Sequence, residues 1–347
     1  MSFVDDPAVR SHPVFGPGGH GVNTQPAGVE PPMDRSAPVW QFRSAPHDDA
    51  FTTRRLAWRR SRRLNITGVP DMPKSLARWL AATMLVLAAP LAAAQALLPV
   101  RVQVQGDTAR IEVGAPGMEL ADVTLEFDEP QGLSPAALGV SAQLVSLSDP
   151  GLLARLPGSL TQLQGAFPLL LTIEPPPGTL SFARVVRVEV HTHALPYTYG
   201  SSFRLFKASL GGSFRDITTQ VAQGSVRARG TTGGFSQFLV LADLRRSGDV
   251  VAEKLDRLQA RIALLPAAEA APLEVERAAA ELAVAERRHD DALAHLDALA
   301  ARVRARAGVA IPQVWTAGGG SQNHAGELLA GVDTAKFSIA YLRNFGH

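Results

Sequence analysis

The chain contains no cysteine among its 347 residues. Neither a disulfide bond nor a thiolate metal site can therefore form. A phosphate-binding P-loop, a Gly-x-Ser-x-Gly nucleophile motif and a His-Glu-x-x-His zinc motif are also missing from the sequence. Stability must come from packing, which the 251 residues that follow position 96 are numerous enough to supply.

An excess of positive charge is missing from the chain beyond residue 96. Of the 34 basic and 32 acidic residues in the whole sequence, 11 basic and 7 acidic residues lie in positions 1–96. The remaining 23 basic and 25 acidic residues give a net charge of −2. Because proteins that bind a phosphate backbone present a positive field, the sequence predicts no nucleic-acid binding.

Residues 72–96, MPKSLARWLAATMLVLAAPLAAAQA, have the layout of a secretory signal peptide. Lys74 and Arg78 form a basic flank, an uncharged apolar run follows, and the small residues of Ala94-Gln95-Ala96 suit a signal peptidase. We therefore expect cleavage after Ala96 and a periplasmic or secreted protein. The alternative is a retained inner-membrane anchor over residues 79–98, a length close to the ~20 residues that span a bilayer.

The residues before Met72 lack the periodic apolar pattern of a folded domain. Residues 1–71 contain nine arginines, no lysine, and many proline, glycine and serine residues, so they bury too little apolar surface to fold. We interpret them as a disordered or mis-annotated N-terminal extension. The glycines of residues 16–21 match a dinucleotide-binding fingerprint, but they follow no strand and open no helix, so we reject that interpretation.

Alternating polar and apolar residues dominate residues 97–244. PVRVQVQ and TARIEVG alternate on either side of Gly106-Asp107, a pattern typical of a β-hairpin. Further alternating segments are separated by turns rich in proline, glycine and aspartate, such as SDPG and PPPG. About eight to ten strands with no long helices between them predict an antiparallel β-sandwich.

Residues 247–307 change to a helical period. Pro266 ends a first helix, and Pro272 suits the first turn of a second helix that runs to Arg306. The short link between them predicts an antiparallel, coiled-coil-like helical hairpin. The apolar residues of the first helix are spaced four, three, four and three apart: Val251, Leu255, Leu258, Ile262 and Leu265.

An interrupted apolar stripe on the second helix predicts an association surface. Glu286 and His289 interrupt it, and a polar seam position fixes register at a cost in stability. Because this helix is about 52 Å long and the first about 25 Å, part of the stripe must contact the sandwich or another chain. The stripe consists of Val275, Ala279, Leu282, Glu286, His289, Leu293, Leu296, Ala300 and Val303.

Residues 308–347 begin with a flexible glycine-rich linker at residues 318–321. NHAGELLAG is expected to form one or two helical turns with Asn323 as the cap. The weak alternation of KFSIAYLRNF favours a strand at the sandwich edge, so we expect this segment to combine helix and strand.

His191 and His193 are the candidate metal ligands. Residues two apart on a strand point to the same side, so both imidazoles can reach one ion. No third ligand stands nearby in the sequence, and the alternative is a solvated sheet face.

Two other groups have weaker chemical patterns. Glu286 and His289 have the Glu-x-x-His spacing of di-iron helical bundles, but such sites require a second copy and two further glutamates. Ser321, His324 and Glu327 are close in sequence, which does not define a catalytic triad, and a capped turn explains them. We therefore assign no catalytic residue and no cofactor.

Two segments carry a resemblance to known proteins. GGSFRDITTQVAQGSVRARGTTGGFSQFLVLAD, residues 211–243, resembles the closing strands of bacterial exported β-sandwich modules, in which a glycine-rich turn precedes a Phe-Ser-x-Phe strand. Together with SQNHAGELLAGVDTAKFSIAYLRNFG, it resembles uncharacterised exported proteins of Gram-negative bacteria that carry a domain of unknown function. The resemblance implies a sandwich module with no assigned reaction.

These patterns predict a non-enzymatic exported envelope protein. We expect its sandwich to present the helical hairpin to a protein partner or to a second copy, with membrane contact only if residues 79–98 are retained. One alternative is a metal-dependent or carbohydrate-active envelope enzyme that uses His191 and His193. Another is a periplasmic adaptor of a transport system, although known adaptors insert their hairpin within a β domain and only forty residues follow Ala307 here.

Overall fold

The computed structural model of the chain describes residues 97–222, 225–235, 237–319 and 322–346. The signal-like segment, the extension before it and the glycine motif of residues 16–21 lie outside these residues. In chain order, the strands are β1 (Val100–Gln105), β2 (Thr108–Ala115), β3 (Met118–Phe127), β4 (Val140–Leu144), β5 (Thr161–Leu163), β6 (Leu169–Ile173), β7 (Ser181–Ala183), β8 (Val186–Pro196), β9 (Phe203–Ala208), β10 (Arg215–Asp216), β11 (Thr218–Ala222), β12 (Ser225–Thr232), β13 (Gln237–Asp243) and β14 (Val314–Thr316). The helices are α1 (Pro135–Leu138), α2 (Pro150–Leu153), α3 (Ser247–Ile262), α4 (Ala267–Ala285), α5 (His289–Arg306) and α6 (His324–Phe345).

Two antiparallel sheets share one apolar core. The first sheet has the strand order β1-β2-β3-β8-β12-β11, and the second has the order β10-β9-β13-β6-β4 with β5 beside β13. Alternate residues of the first sheet face the core because side chains alternate across a strand. The shared core includes Ile111, Val123, Leu125, Val188 and Val190 from the first sheet and Leu169, Leu171, Ile173, Phe238 and Val240 from the second. This arrangement confirms the predicted antiparallel β-sandwich.

The first hairpin has the register that its sequence predicts. Gln105 pairs with Thr108, which leaves Gly106 and Asp107 as a two-residue turn. Gly106 adopts a φ of 62°, a left-handed conformation that costs glycine little.

Four helices pack around a second apolar core beside the sandwich. Val251, Leu255, Leu258 and Ile262 of α3 are all buried in this core, as their heptad spacing predicts. Their main partner is α6, rather than the next helix in the chain. Close approach of the two helices depends on Gly331, where a Cβ atom would lie 2.7 Å from Leu258 Cδ2.

The predicted second helix of residues 272–306 is instead two helices. The chain leaves the helical conformation between Ala285 and His289, and Arg287 adopts a φ of 61°. A left-handed residue other than glycine costs roughly 1–2 kcal/mol, so it ends a helix locally. An antiparallel hairpin is present, but α4 and α5 form it, as shown by the hydrogen bond of 2.5 Å from Arg306 near the end of α5 to Glu269 near the start of α4.

The C-terminal segment differs from the expected strand. KFSIAYLRNF belongs to the single helix α6, because Leu328, Val332, Ala335 and Ile339 repeat at helical spacing and are fully buried. The predicted cap is confirmed, since Asn323 Oδ1 accepts a hydrogen bond of 2.9 Å from the Gly326 amide. The short strand β14 precedes this helix and pairs with β7. None of the helices within the described residues has both the length and the apolarity required to cross a membrane.

One corner of the sandwich positions the charged residues described below. The chain passes from the second sheet to the first within a few residues, because β10 pairs with β9 whereas β11 pairs with β12. Helices α3 and α6 lie over this corner, and α6 contacts both β11 and β12. Polar side chains from the two sheets and from the helices are thereby brought together.

Candidate functional site

The two candidate metal ligands, His191 and His193, lie side by side on β8 with ring centroids 4.7 Å apart. His191 already has a partner for each ring nitrogen, because Nε2 contacts Ser225 and Nδ1 lies 3.5 Å from Asp122 Oδ2. Burial lowers the pKa of His191, and Arg227 and His193 lower it further. Within the described residues, no group of three or more His, Cys, Asp or Glu side chains is arranged to hold a metal ion.

The other sequence candidates are not brought together. Glu286 accepts hydrogen bonds from Arg288 at 2.6 and 2.8 Å, beside the turn that precedes His289. Ser321 lies outside the described residues. His324 and Glu327 share the first turn of α6, but Glu327 is engaged with cations of the sandwich and α3, as described below.

A fully buried ion pair joins the helices to the sandwich, and the sequence reasoning missed it. Lys254 Nζ of α3 lies 2.6 Å from Asp216 Oδ2 of β10. It also donates hydrogen bonds to Ser338 Oγ at 2.8 Å and to the Thr334 carbonyl at 3.1 Å, both on α6. Asp216 Oδ1 in turn accepts a hydrogen bond of 2.8 Å from the Thr218 amide. Lys254 therefore has two hydrogen-bond acceptors on α6 and the Asp216 carboxylate as its counter-ion, and a buried charge needs such partners.

Both members of this pair are charged at neutral pH. Burial lowers the pKa of Lys254 to about 8, although Asp216 opposes the shift. Burial on its own raises the pKa of Asp216, but Lys254 and Arg204 outweigh it and hold that pKa below its usual value. The boundary between helices and sandwich thus contains an ionic contact sealed from water.

A second ionic cluster surrounds Glu327. Its carboxylate accepts a hydrogen bond of 2.7 Å from Arg215 Nη2, and Lys207 Nζ and Arg261 Nη2 each lie 3.8 Å away. Lys207, which is buried behind the cluster, donates a hydrogen bond of 2.5 Å to Thr232 Oγ1. Burial raises the pKa of Glu327, but the three cations outweigh it and bring that pKa to about 2.

Glu327 makes the folded chain sensitive to acid. Its folded pKa of about 2 lies below the ordinary 4.5, so its contribution to stability is present above pH 4.5 and is lost as the pH falls towards 2. We expect Glu327→Gln to remove on the order of 3 kcal/mol of this pH-dependent stability. Urea unfolding of both chains between pH 2 and 6 measures it: the midpoint of the variant should fall less steeply with decreasing pH. Parallel curves for the two chains would contradict the prediction.

A cleft of about 250 Å³ opens beside the two ionic clusters, between strands β10 and β12 on one side and helices α3 and α6 on the other. Four cationic and two acidic side chains line it, an excess of two formal positive charges: Arg215, Lys254, Arg257 and Arg261 against Asp216 and Glu327. These residues come from three separate elements, β10, α3 and α6, so sequence proximity gives no sign of the cleft. The available signal was Lys254 itself, which follows Val251 by three residues and precedes Leu258 by four, and therefore lies on the buried stripe of α3.

A different surface lies on the outer side of α4. Its inner side packs against α5 through Leu273, Ala280 and Ala283. On the outer side, apolar residues spaced four, three and four apart remain exposed to solvent: Ala271, Val275, Ala278 and Leu282. We call these four residues the outer face of α4. It continues into an apolar groove at the junction of α3 and α4, which includes Ile262 and Ala267.

The fold and these surfaces define a class of protein in which an antiparallel β-sandwich is joined to a four-helix unit through buried ion pairs. The chain belongs to the family of unknown function DUF6689, which it matches over residues 82–343. Neither a curated protein nor a solved structure matches it.

Proposed function

We propose that the chain is an exported, non-enzymatic binding protein, which holds a helix of a protein partner along the outer face of α4. The observation that carries the proposal is the exposure of Val275 and Leu282, at 67% and 56%. They lie seven residues apart on one side of a helix whose other side is already packed. An apolar stripe at this spacing matches the contact surface of a second helix.

Charge distinguishes between the possible partners. Glu274 and Glu281 border the outer face, and their side chains are 35% and 54% exposed. Arg277 pairs with Glu274 and Glu281, but its side chain is only 5% exposed. Two copies would bring acidic borders together, which is unfavourable. We therefore propose a partner helix from a different protein, with lysine or arginine beside its apolar stripe.

Export is supported by the sequence rather than by the fold. Residues 72–96 have the basic flank, apolar run and small-residue end of a signal peptide. The absence of cysteine means that folding outside the cytosol needs no disulfide chemistry. The resemblance to uncharacterised exported proteins of Gram-negative bacteria points in the same direction.

The enzyme alternative has less support. A metal site at His191 would have to displace the contacts of its ring with Ser225 and Asp122. The adaptor alternative gains support from one contact. Strand β14, which follows the helical hairpin, pairs with β7, so strands both precede and follow the hairpin, as in known adaptors. We prefer the partner-binding proposal because it alone accounts for the exposed stripe.

Site-specific crosslinking in cells tests the proposal. A photoreactive amino acid replaces Ala278 in the full chain, produced in a Gram-negative bacterium, and a chain with the same group at the exposed Gln103 of β1 serves as the control. We expect the Ala278 position to capture a peptide of another protein in which apolar residues repeat three and four apart beside lysine or arginine. The chain that carries the photoreactive group should be found in the periplasm and should begin at Leu97.

A second chain shows whether the apolar contact matters. Val275→Glu with Leu282→Glu, added to the Ala278 position, should reduce capture at least tenfold while the melting temperature stays unchanged, because both side chains are already solvated. Capture of a second copy, the same peptide from Gln103, or no capture would refute partner binding. An intact cytosolic chain that begins at Met1 would refute export alone.

A further inference from the structure

The cleft between strands β10 and β12 and helices α3 and α6, which we call the boundary cleft, combines a surplus of positive charge with apolar walls. Its two acidic side chains each contact a cation at close range: Glu327 binds Arg215 at 2.7 Å, and Asp216 lies 2.6 Å from Lys254. The remaining cations of the lining are Arg257 and Arg261. These two arginines are therefore the surplus charges of the cleft.

Neither arginine is fully engaged by the described residues. Arg257 donates one hydrogen bond of 2.7 Å, through Nη1 to Glu253 on the same helix. Arg261 donates no hydrogen bond within this part of the chain, and the carboxylate oxygen paired with it is Glu327 Oε2 at 3.8 Å. A guanidinium has five N–H donors in a planar fork that matches carboxylate and phosphate oxygens. Their side chains are 31% and 28% exposed, so both guanidinium groups remain accessible from the cleft.

The size and the walls of the cleft limit what it can take. A volume of about 250 Å³ holds roughly eight water molecules at the liquid volume of about 30 Å³ each. It is smaller than the ~300–1,000 Å³ of sites for drug-sized ligands. Ile217, Leu258 and Leu264 contribute apolar wall, and Leu264 is 63% exposed, so an apolar group inside the cleft would cover surface that water now contacts.

We propose that the cleft binds a small amphipathic anion. Its carboxylate or phosphate head group receives hydrogen bonds from Arg257 and Arg261, and its short apolar body contacts Ile217, Leu258 and Leu264. Arg215 and Lys254 add favourable charge without leaving their acidic partners. This site is independent of the outer face of α4, and neither proposal requires the other.

Calorimetric titration of the full chain with three probes of equal apolar length tests the site. Hexanoate and hexyl phosphate carry the two head groups, and hexan-1-ol carries neither. We expect at least one anion to bind, more weakly as salt is added, and the alcohol not to bind over the same concentrations. Binding of hexanoate alone, hexyl phosphate alone or both supports the site and identifies the head group.

Matched variants locate the binding. Arg261→Gln should raise the dissociation constant at least tenfold, because it removes charge-assisted hydrogen bonds. The control, Arg302→Gln on the exposed side of α5, should change the dissociation constant less than twofold. Ala260→Glu, at an exposed residue of the cleft rim, should also weaken binding, and it remains informative if Arg261→Gln fails to fold. The site is refuted if neither anion binds, if the alcohol binds as tightly, or if the cleft variants bind like Arg302→Gln.

Discussion

Lys254→Met is expected to destabilise the folded chain by about 3–5 kcal/mol, because it leaves the carboxylate of Asp216 buried without its cation. Both side chains are at most 1% exposed, so water cannot replace the lost ammonium group. Methionine fills similar space without charge, so the loss is electrostatic rather than a cavity effect. The Ser338 hydroxyl and the Thr334 carbonyl lose a donor in the same change.

Urea unfolding at neutral pH measures this effect against a matched lysine. Lys336→Met breaks the contact between Lys336 and Asp297, whose side chains are 34% and 61% exposed, and should cost no more than about 1 kcal/mol. Adding Asp216→Asn to Lys254→Met should recover at least half of the loss, because asparagine still accepts from the Thr218 amide. Equal effects of the two lysine variants would show that the buried pair is not a main stabilising contact.

Gly326→Ala is expected to lower the free energy of unfolding by about 3 kcal/mol or more, which is the upper end of the range for overpacking a well-packed site. A Cβ atom on Gly326 would lie 1.8 Å from the Arg184 carbonyl oxygen and 2.4 Å from Asn323 Nδ2. The carbonyl belongs to the backbone of the sandwich, so the first turn of α6 would have to move. Asn323, which bonds the Arg184 and Gly233 carbonyls at 2.6 and 2.9 Å, would lose those contacts with it.

The control for this substitution is Gly248→Ala in α3, where no atom lies within 4 Å of the added Cβ. There, alanine should leave stability unchanged or raise it by up to about 1 kcal/mol, because alanine favours helix. Thermal and urea unfolding of both variants provide the comparison. A Gly326→Ala chain as stable as the Gly248→Ala chain would mean that the docking of α6 is looser than these distances indicate.

The strands were the part of the fold that the sequence predicted best. Their alternation is local, and it reports directly which residues face the core, as in β2, where Ala109, Ile111 and Val113 are all buried. The turn at Gly106-Asp107 also carries its own signal, since glycine supplies the left-handed residue. Local chemistry therefore determines this half of the fold.

The helices were predicted less well, for reasons outside any local pattern. Arg287 ends a helix without glycine or proline, and the polar Glu286 and His289 fit an interrupted seam as well as they fit a turn. NHAGELLAG predicts only one or two helical turns, whereas the structure continues the helix through Gly331, whose missing side chain lets α6 approach Leu258 of α3. The period of Leu328, Val332, Ala335 and Ile339 was the signal that would have identified α6.

The boundary cleft depends on contacts between residues far apart in the sequence. Asp216 and Lys254 are 38 positions apart, and Arg215 and Glu327 are 112 apart. Charged residues are usually solvated, so nothing in the local sequence marks Asp216 or Glu327 as buried, and only the place of Lys254 on the buried stripe of α3 gives a signal. The chemistry of His191 and His193 is conspicuous in the sequence, whereas the cations of the cleft are distinguished only by their arrangement in space.

The left-handed turn at Arg287 also determines what a neighbouring molecule can touch. One repeating pattern runs from Val275 to Val303, yet Val275 and Leu282 face solvent before the turn, while Leu296 and Val303 are fully buried after it. A continuous rod would have kept the whole repeat on a single side. A single backbone torsion thus divides one sequence motif into a part that packs inside the protein and a part that faces solvent.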